Sequence, residues 1–181
     1  MHRNGSASTL LCSLWINDGD VRQPSMKFNL IDRITELVPG RRIRAVKALT
    51  TAEEYLADHF PHFPVMPGVL MIEAMTQAAA WLVRRTEDFA HSMILLAEAR
   101  NVTYKSFVAP GQTLELTLDA KEIGRTSSKF VGVGRRGDTE VVRAHLTLRH
   151  FNLAEDNPAM EASDRKLVAE LRQRMEILTR N

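Results

Sequence analysis

The chain has 181 residues, 44% apolar and 25% charged, with a formal net charge of +2. That length and composition fit one domain with a full core, and the near-balanced charge excludes a global nucleic-acid surface. The single cysteine, Cys12, excludes an internal disulfide and fits a reducing compartment.

Residues 1–26 are small, polar and irregular, and read as a poorly ordered extension. A short strand is expected over residues 10–16, and Met26 is an alternative start. The apolar run 10–16 is too short and too weakly flanked for a leader, so the protein is read as cytoplasmic. Residues 28–38 and 41–50 read as strands joined by a Pro39-Gly40 turn. Residues 51–58 suggest one helical turn.

Residues 59–67 hold Pro61, Pro64 and Pro67, which exclude a helix or a central strand and require a rigid, shaped loop. From Gly68 to about Arg85 no Gly or Pro interrupts a run rich in Ala, Met and Leu. It reads as a helix apolar all round, and therefore buried on all sides. It is too short, and too interrupted by Glu73, Thr76 and Gln77, to span a membrane.

Strands are expected over 93–105, 112–123, 127–135 and 139–150, broken at Pro110-Gly111, Gly124-Arg125 and Gly137-Asp138. Residues 152–162 read as a linker. Ser163 and Asp164 are candidate caps for a last helix over 164–179, with Leu167, Leu171, Met175 and Leu178 on one face. The domain boundaries are thus 1–26, 27–151 and 152–181.

The candidate chemistry sits where the loop meets the buried helix. His59 is a candidate general base. A carboxyl buried at Glu73 tends to neutralise and so to act as an acid, and Gln77 follows four residues on, on the same helical face. Gly68 opens the helix, where free N–H groups and the dipole suit a developing oxyanion. Together these parts match a reaction at the carbon next to a thioester carbonyl. His59-x-x-His62 encloses Pro61 and has no further ligand at useful spacing, so no metal site is expected. The pairs Arg41-Arg42, Arg84-Arg85 and Arg135-Arg136 are either solvated surface or docking points for an acidic carrier.

The run His59-Phe60-Pro61-His62-Phe63-Pro64-Val65-Met66-Pro67-Gly68-Val69-Leu70, followed by Glu73-Ala74-Met75-Thr76-Gln77, resembles the signature of the bacterial 3-hydroxyacyl-[acyl-carrier-protein] dehydratases. The fourteen-residue step from His59 to Glu73 agrees with that family. The resemblance covers roughly residues 30–150 and implies an α+β hot dog fold, in which an antiparallel sheet wraps one long helix. It implies elimination of water from a (3R)-hydroxyacyl thioester, with no cofactor beyond the phosphopantetheine arm of an acyl carrier protein as substrate carrier. It also implies a homodimer, assembled as a trimer of dimers, in which His59 of one protomer works with Glu73 of its partner. Gly68 and Gln77 are the implied oxyanion donor and the orienting group.

The chain departs from the family pattern in four places. The Pro-His-Arg-x-Pro-Phe segment before the first strand is absent. Asp58 stands where Gly is common, so a carboxylate adjoins His59 in sequence. Phe107 replaces a common Pro, and the last helix is an addition. A non-catalytic acyl-carrier-binding or partner subunit, and a thioesterase on the same fold, stay open as alternatives. Isomerisation is less favoured, because isomerising relatives carry Asp where this chain has Glu73.

Overall fold

The computed structural model of the chain describes residues 28–180. The extension expected over 1–26, with its short strand, falls outside the described residues, as do Cys12 and Met26.

Six strands form one antiparallel sheet: β1 (Arg33–Val38), β2 (Arg42–Ala48), β3 (Met93–Tyr104), β4 (Thr113–Ile123), β5 (Ser127–Arg136) and β6 (Thr139–Phe151). Their spatial order is β1-β2-β4-β5-β6-β3. Helix α1 (Gly68–Thr86) links β2 to β3, and α2 (Glu161–Thr179) follows β6. Gly40 (φ 72°) and Gly137 (φ 54°) take the left-handed conformation that closes the β1–β2 and β5–β6 hairpins.

Side chains alternate across the strands with period two. Ile43 and Ala45 of β2, Leu114, Leu116 and Leu118 of β4, Phe130 of β5, and Ala144, Leu146 and Leu148 of β6 point inward and are buried. Each such large side chain contributes about 1.5–3 kcal/mol. They close on the buried face of α1, which includes Met71, Ala74, Met75, Ala78 and Leu82. Gly132 makes the close approach possible. A Cβ there would lie 2.6 Å from Leu118 Cδ1 and 3.1 Å from Met75 Sδ. A sheet wrapped on one long helix is the hot dog arrangement.

The structure corrects four expectations. Strand β1 begins at Arg33, not residue 28. Further back the chain leaves the sheet and bonds a side chain: Asp32 N–H still reaches the Val46 carbonyl of β2 at 2.9 Å, but Leu30 N–H donates to Gln77 Oε1, and the Phe28 carbonyl accepts from Gln77 Nε2. Helix α1 is not buried all round within one chain. The row Val69, Glu73, Gln77 is the less covered side, and Val69 is 70% exposed.

Residues 152–162 are not a plain linker. Two 3₁₀ turns, Leu153–Glu155 and Pro158–Met160, lead directly into α2, and Asn152 and Glu155 close a capping box on the first of them. Finally, α2 starts at Glu161, so Asp164 lies inside it and caps something else. Its carboxylate accepts from the Ser92 hydroxyl and from the N–H groups of Leu153 (3.0 Å) and Ala154 (2.9 Å). It fastens α2 to the start of β3 and to the first 3₁₀ turn.

Most of the expected face of α2 packs inward: Met175 and Leu178 are buried in the core, and Leu171 packs against it, but Val168 takes the place expected of Leu167, which is half-buried. The helix meets β1, and Arg172 stacks 4.5 Å from the Phe89 ring centroid while bonding Asp88 at 2.9 Å. With Asp164 at Ser92, α2 crosses between the two outer strands of the sheet. No helix among the described residues is long and apolar enough to cross a membrane.

Candidate active site

The proline-rich loop is fixed by its own backbone. Phe60 and Phe63 exchange N–H···O bonds (3.3 and 2.9 Å), Val65 N–H reaches the His59 carbonyl at 3.2 Å, and Met66 N–H reaches Val108 at 2.9 Å. Val65 and Met66 are buried and anchor the loop to the core. The His59–Phe60 peptide is cis, and the two rings lie 4.2 Å apart. Arg136 holds the neighbouring segment by donating to the Phe107 carbonyl at 2.8 Å.

The His59 ring is half-buried, and its Nδ1 lies 3.2 Å from the Val65 carbonyl. The tautomer with its proton on Nδ1 satisfies that carbonyl and leaves a lone pair on Nε2. Asp58 is exposed, and the ring's partner is the loop's own Val65 carbonyl.

Pro67 caps α1 with an extended ψ of 137°. Its carbonyl takes the first helical N–H groups, those of Leu70 (3.0 Å) and Met71 (3.2 Å). The N–H groups of Gly68 and Val69 are therefore left without intrahelical partners, at the positive end of the helix. Space at Gly68 is tight, because a Cβ there would meet Tyr104 Cε1 at 2.8 Å.

Glu73 lies one and a half turns further on, half-buried. Gln77 Nε2 donates to Glu73 Oε1 at 3.0 Å and to the Phe28 carbonyl at 3.0 Å, while its Oε1 accepts from Leu30. Burial raises the Glu73 carboxyl above its ordinary value, and the Gln77 bond opposes that in part.

The chain thus joins Glu73 to Gln77, and His59 to its own loop, with no hydrogen bond between His59 and Glu73 among the described residues. Around them stand exposed apolar groups: Phe60 (52%), Phe63 (55%), Phe107 (55%), Val69 and Tyr104. Phe63 and Phe107 meet edge to face at 5.7 Å. A hollow of about 330 Å³ lies behind the loop, lined by Thr51, Glu53, Leu56, Pro64 and Pro110, and does not include His59 or Glu73.

The basic pairs are largely committed within the chain. Arg42 binds Asp119 at 2.6 Å, Arg84 lies over Trp81, and Arg135 and Arg136 bond loop carbonyls. Sequence reasoning missed the Val65 carbonyl, the Tyr104 ring and the Phe28–Leu30 backbone. Each is brought in by chain folding, and no local pattern marks it.

A family model described as the FabA-like domain matches residues 23–144, more than half of the chain. The chain belongs to the FabA-like domain family. FabA-like relatives include a protein of Aromatoleum aromaticum named 3-hydroxyacyl-[acyl-carrier-protein] dehydratase FabZ, 39% identical over 123 residues, covering 66% of this chain and 85% of the relative. A protein of the same name from Pediococcus pentosaceus is 37% identical, covering 65% of this chain and 78% of its own. Among solved structures, a dehydratase heterocomplex from Xenorhabdus doucetiae superposes with a TM-score of 0.58 at 17% identity, covering 73% of this chain and 89% of that one. At that identity the likeness shows the fold alone.

Proposed function

We propose that this FabA-like chain is a (3R)-3-hydroxyacyl-[acyl-carrier-protein] dehydratase of fatty acid or related lipid biosynthesis, a hydro-lyase that forms the trans-2-enoyl thioester. The observation that carries the reading is the Glu73 carboxyl, half-buried, raised by burial and held by Gln77. It lies in a chain whose family and curated relatives point to the same chemistry.

His59 Nε2 takes the proton from C2 of the thioester. The resulting negative charge spreads onto the thioester oxygen, where the Gly68 N–H receives it, worth about 10²- to 10³-fold in rate. Protonated Glu73 gives its proton to the 3-hydroxyl, the C3–O bond breaks, and water leaves as the C2–C3 double bond forms. Passing the His59 proton back to Glu73 resets the site. The elimination balances with proton transfers alone and needs no cofactor.

Among the described residues His59 bonds its own loop, and the apolar groups around the site are open. Both facts support a homodimer in which the partner's Glu73 completes each site; assembly of such dimers into a trimer of dimers is carried by the family resemblance. The substrate arrives on the phosphopantetheine of an acyl carrier protein, and the protein works in the cytoplasm.

The test follows enoyl absorbance on acyl thioesters for the unaltered chain, His59→Ala and Glu73→Gln. Turnover by the unaltered chain and a loss of at least about 10²-fold in both folded variants support the reading. An unaltered chain that binds acyl-carrier substrates without turning them over overturns it in favour of a binding subunit. Release of free thiol would mark a thioesterase.

A further inference from the structure

At the far end of α1 three side chains converge that the dehydratase chemistry does not use. Glu87 is the C-cap of α1, its N–H bonded to the Val83 carbonyl at 2.9 Å. His91 lies in the turn that leads to β3, and His150 is the penultimate residue of β6. His150 occupies the inward row of that strand, after Leu146 and Leu148, where an apolar residue is the rule. It is 1% exposed.

Nothing in the described chain satisfies this histidine. Both its ring nitrogens are buried without a hydrogen-bond partner, as are His91 Nδ1 and Glu87 Oε2. A buried polar group without a partner costs about 1–3 kcal/mol. Glu87 Oε2 lies 3.5 Å from His91 Nε2 and 3.6 Å from His150 Nδ1. These separations are too long for good hydrogen bonds. They are close to the edge of a tetrahedron whose centre is about 2.0–2.2 Å from each corner, roughly 3.3–3.6 Å. One candidate ligand atom from each residue lies within 4.8 Å of the other two.

We propose that Glu87, His91 and His150 form a binding site for one divalent transition-metal ion of the zinc class. Two imidazoles and one carboxylate are a borderline donor set that suits zinc and disfavours magnesium or calcium. Three protein ligands leave the fourth position of a tetrahedral ion to a water molecule. Both ring nitrogens of His150 are buried and unpartnered, so a lone pair there is free to ligate.

The backbone around the site is already set. Asn152 accepts from Ser92 N–H at 2.8 Å and donates to Ala90 at 3.2 Å, and His150 N–H reaches Thr126 at 2.8 Å. Arg84 opposes the ion. Its guanidinium is buried over Trp81 with Nε unpartnered, and its positive charge weakens cation binding. The affinity expected is therefore micromolar, short of the tightest structural zinc sites.

The role is structural. The 19-residue helix places this site about 28 Å from Gly68. The ion would pin the end of α1 to β6 just before the chain enters α2. The inference is independent of the dehydratase reading.

The test uses the full chain, stripped with chelator and titrated with Zn²⁺, with Mg²⁺ as control. One Zn²⁺ per chain at micromolar affinity, with a melting midpoint raised by about 3 °C or more, is expected for the unaltered chain. Loss of both in His91→Ala and in Glu87→Gln, checked for folding by far-UV circular dichroism, supports the site. No saturable binding below about 100 µM Zn²⁺, or binding that survives both substitutions, overturns it. If a variant fails to fold, Co²⁺ loaded into the unaltered chain decides. Strong visible bands of a four-coordinate ion support the site, and the weak spectrum of hydrated Co²⁺ overturns it.

Discussion

Gln77 holds Glu73 from below, with its amide nitrogen 3.0 Å from Glu73 Oε1 and its amide oxygen 2.9 Å from the Leu30 N–H. Both ends of one side chain are in use, so its loss is felt by the carboxyl and by the backbone that leads into β1. Gln77→Leu is expected to cost about 1–3 kcal/mol, read as a lowered melting midpoint. It is also expected to lower kcat more than KM is changed, because substrate still binds while the acid is misdirected.

The same bond sets a pH dependence. Burial raises the Glu73 carboxyl above the ordinary 4.5, and the Gln77 bond pulls it partly back. As the acid, Glu73 must be protonated, so the dehydration rate is expected to fall as pH rises through its raised value. In Gln77→Leu that alkaline limb should move to higher pH, since the bond favouring the carboxylate is gone. Stability follows the same sign. The contribution of a group raised in the fold is fully present below 4.5 and is lost as pH rises through the folded value. A pH–rate profile of both proteins checks the limb, and chemical denaturation across the same pH range checks the stability.

The shared site of the proposed dimer predicts complementation. His59→Ala and Glu73→Gln are each expected to be inactive alone. Mixed dimers contain one site with both substitutions and one with neither. A mixture refolded together should therefore recover roughly a quarter of the unaltered rate by the symmetry of a two-fold pair. No recovery in dimers shown to be mixed would mean that each chain carries a whole site.

Asp164 is expected to govern the attachment of α2. Burial pushes its carboxyl up, but the Ser92 hydroxyl and the Ala154 and Leu153 N–H groups more than offset this and hold it below the ordinary 3.8. Its contribution is present above 3.8 and is lost as pH falls through the lower folded value. Asp164→Asn keeps the shape and loses the charge. It is expected to cost about 1–3 kcal/mol at neutral pH and to raise hydrogen exchange over residues 161–179 before the rest of the chain.

Much of this architecture is legible in the sequence. The proline loop, the Gly68 start and the turn glycines bracket α1 and the strands because Pro and Gly act locally. The two catalytic candidates stand out because a histidine caged by prolines and a carboxyl in an apolar helix are both locally anomalous. What the sequence hides depends on distance along the chain. Residues 28–32 have the composition of a strand, yet Gln77, nearly fifty positions on, takes the hydrogen bonds of Phe28 and Leu30. Asp164 looks like a cap for its own helix and instead serves Ser92. His150 looks like one polar residue in an alternating strand, and only folding brings Glu87 and His91 to it.

The helix across the sheet's two outer strands has a practical side. Relatives matched over the common domain invite the idea that this chain can be shortened near residue 151. Doing so would strip the Met175 and Leu178 side chains from the core and uncover Phe89, now sheltered beneath Arg172. The shortened chain would gain an apolar scar along β1, and its failure would show as precipitation and not simply as a lower melting point.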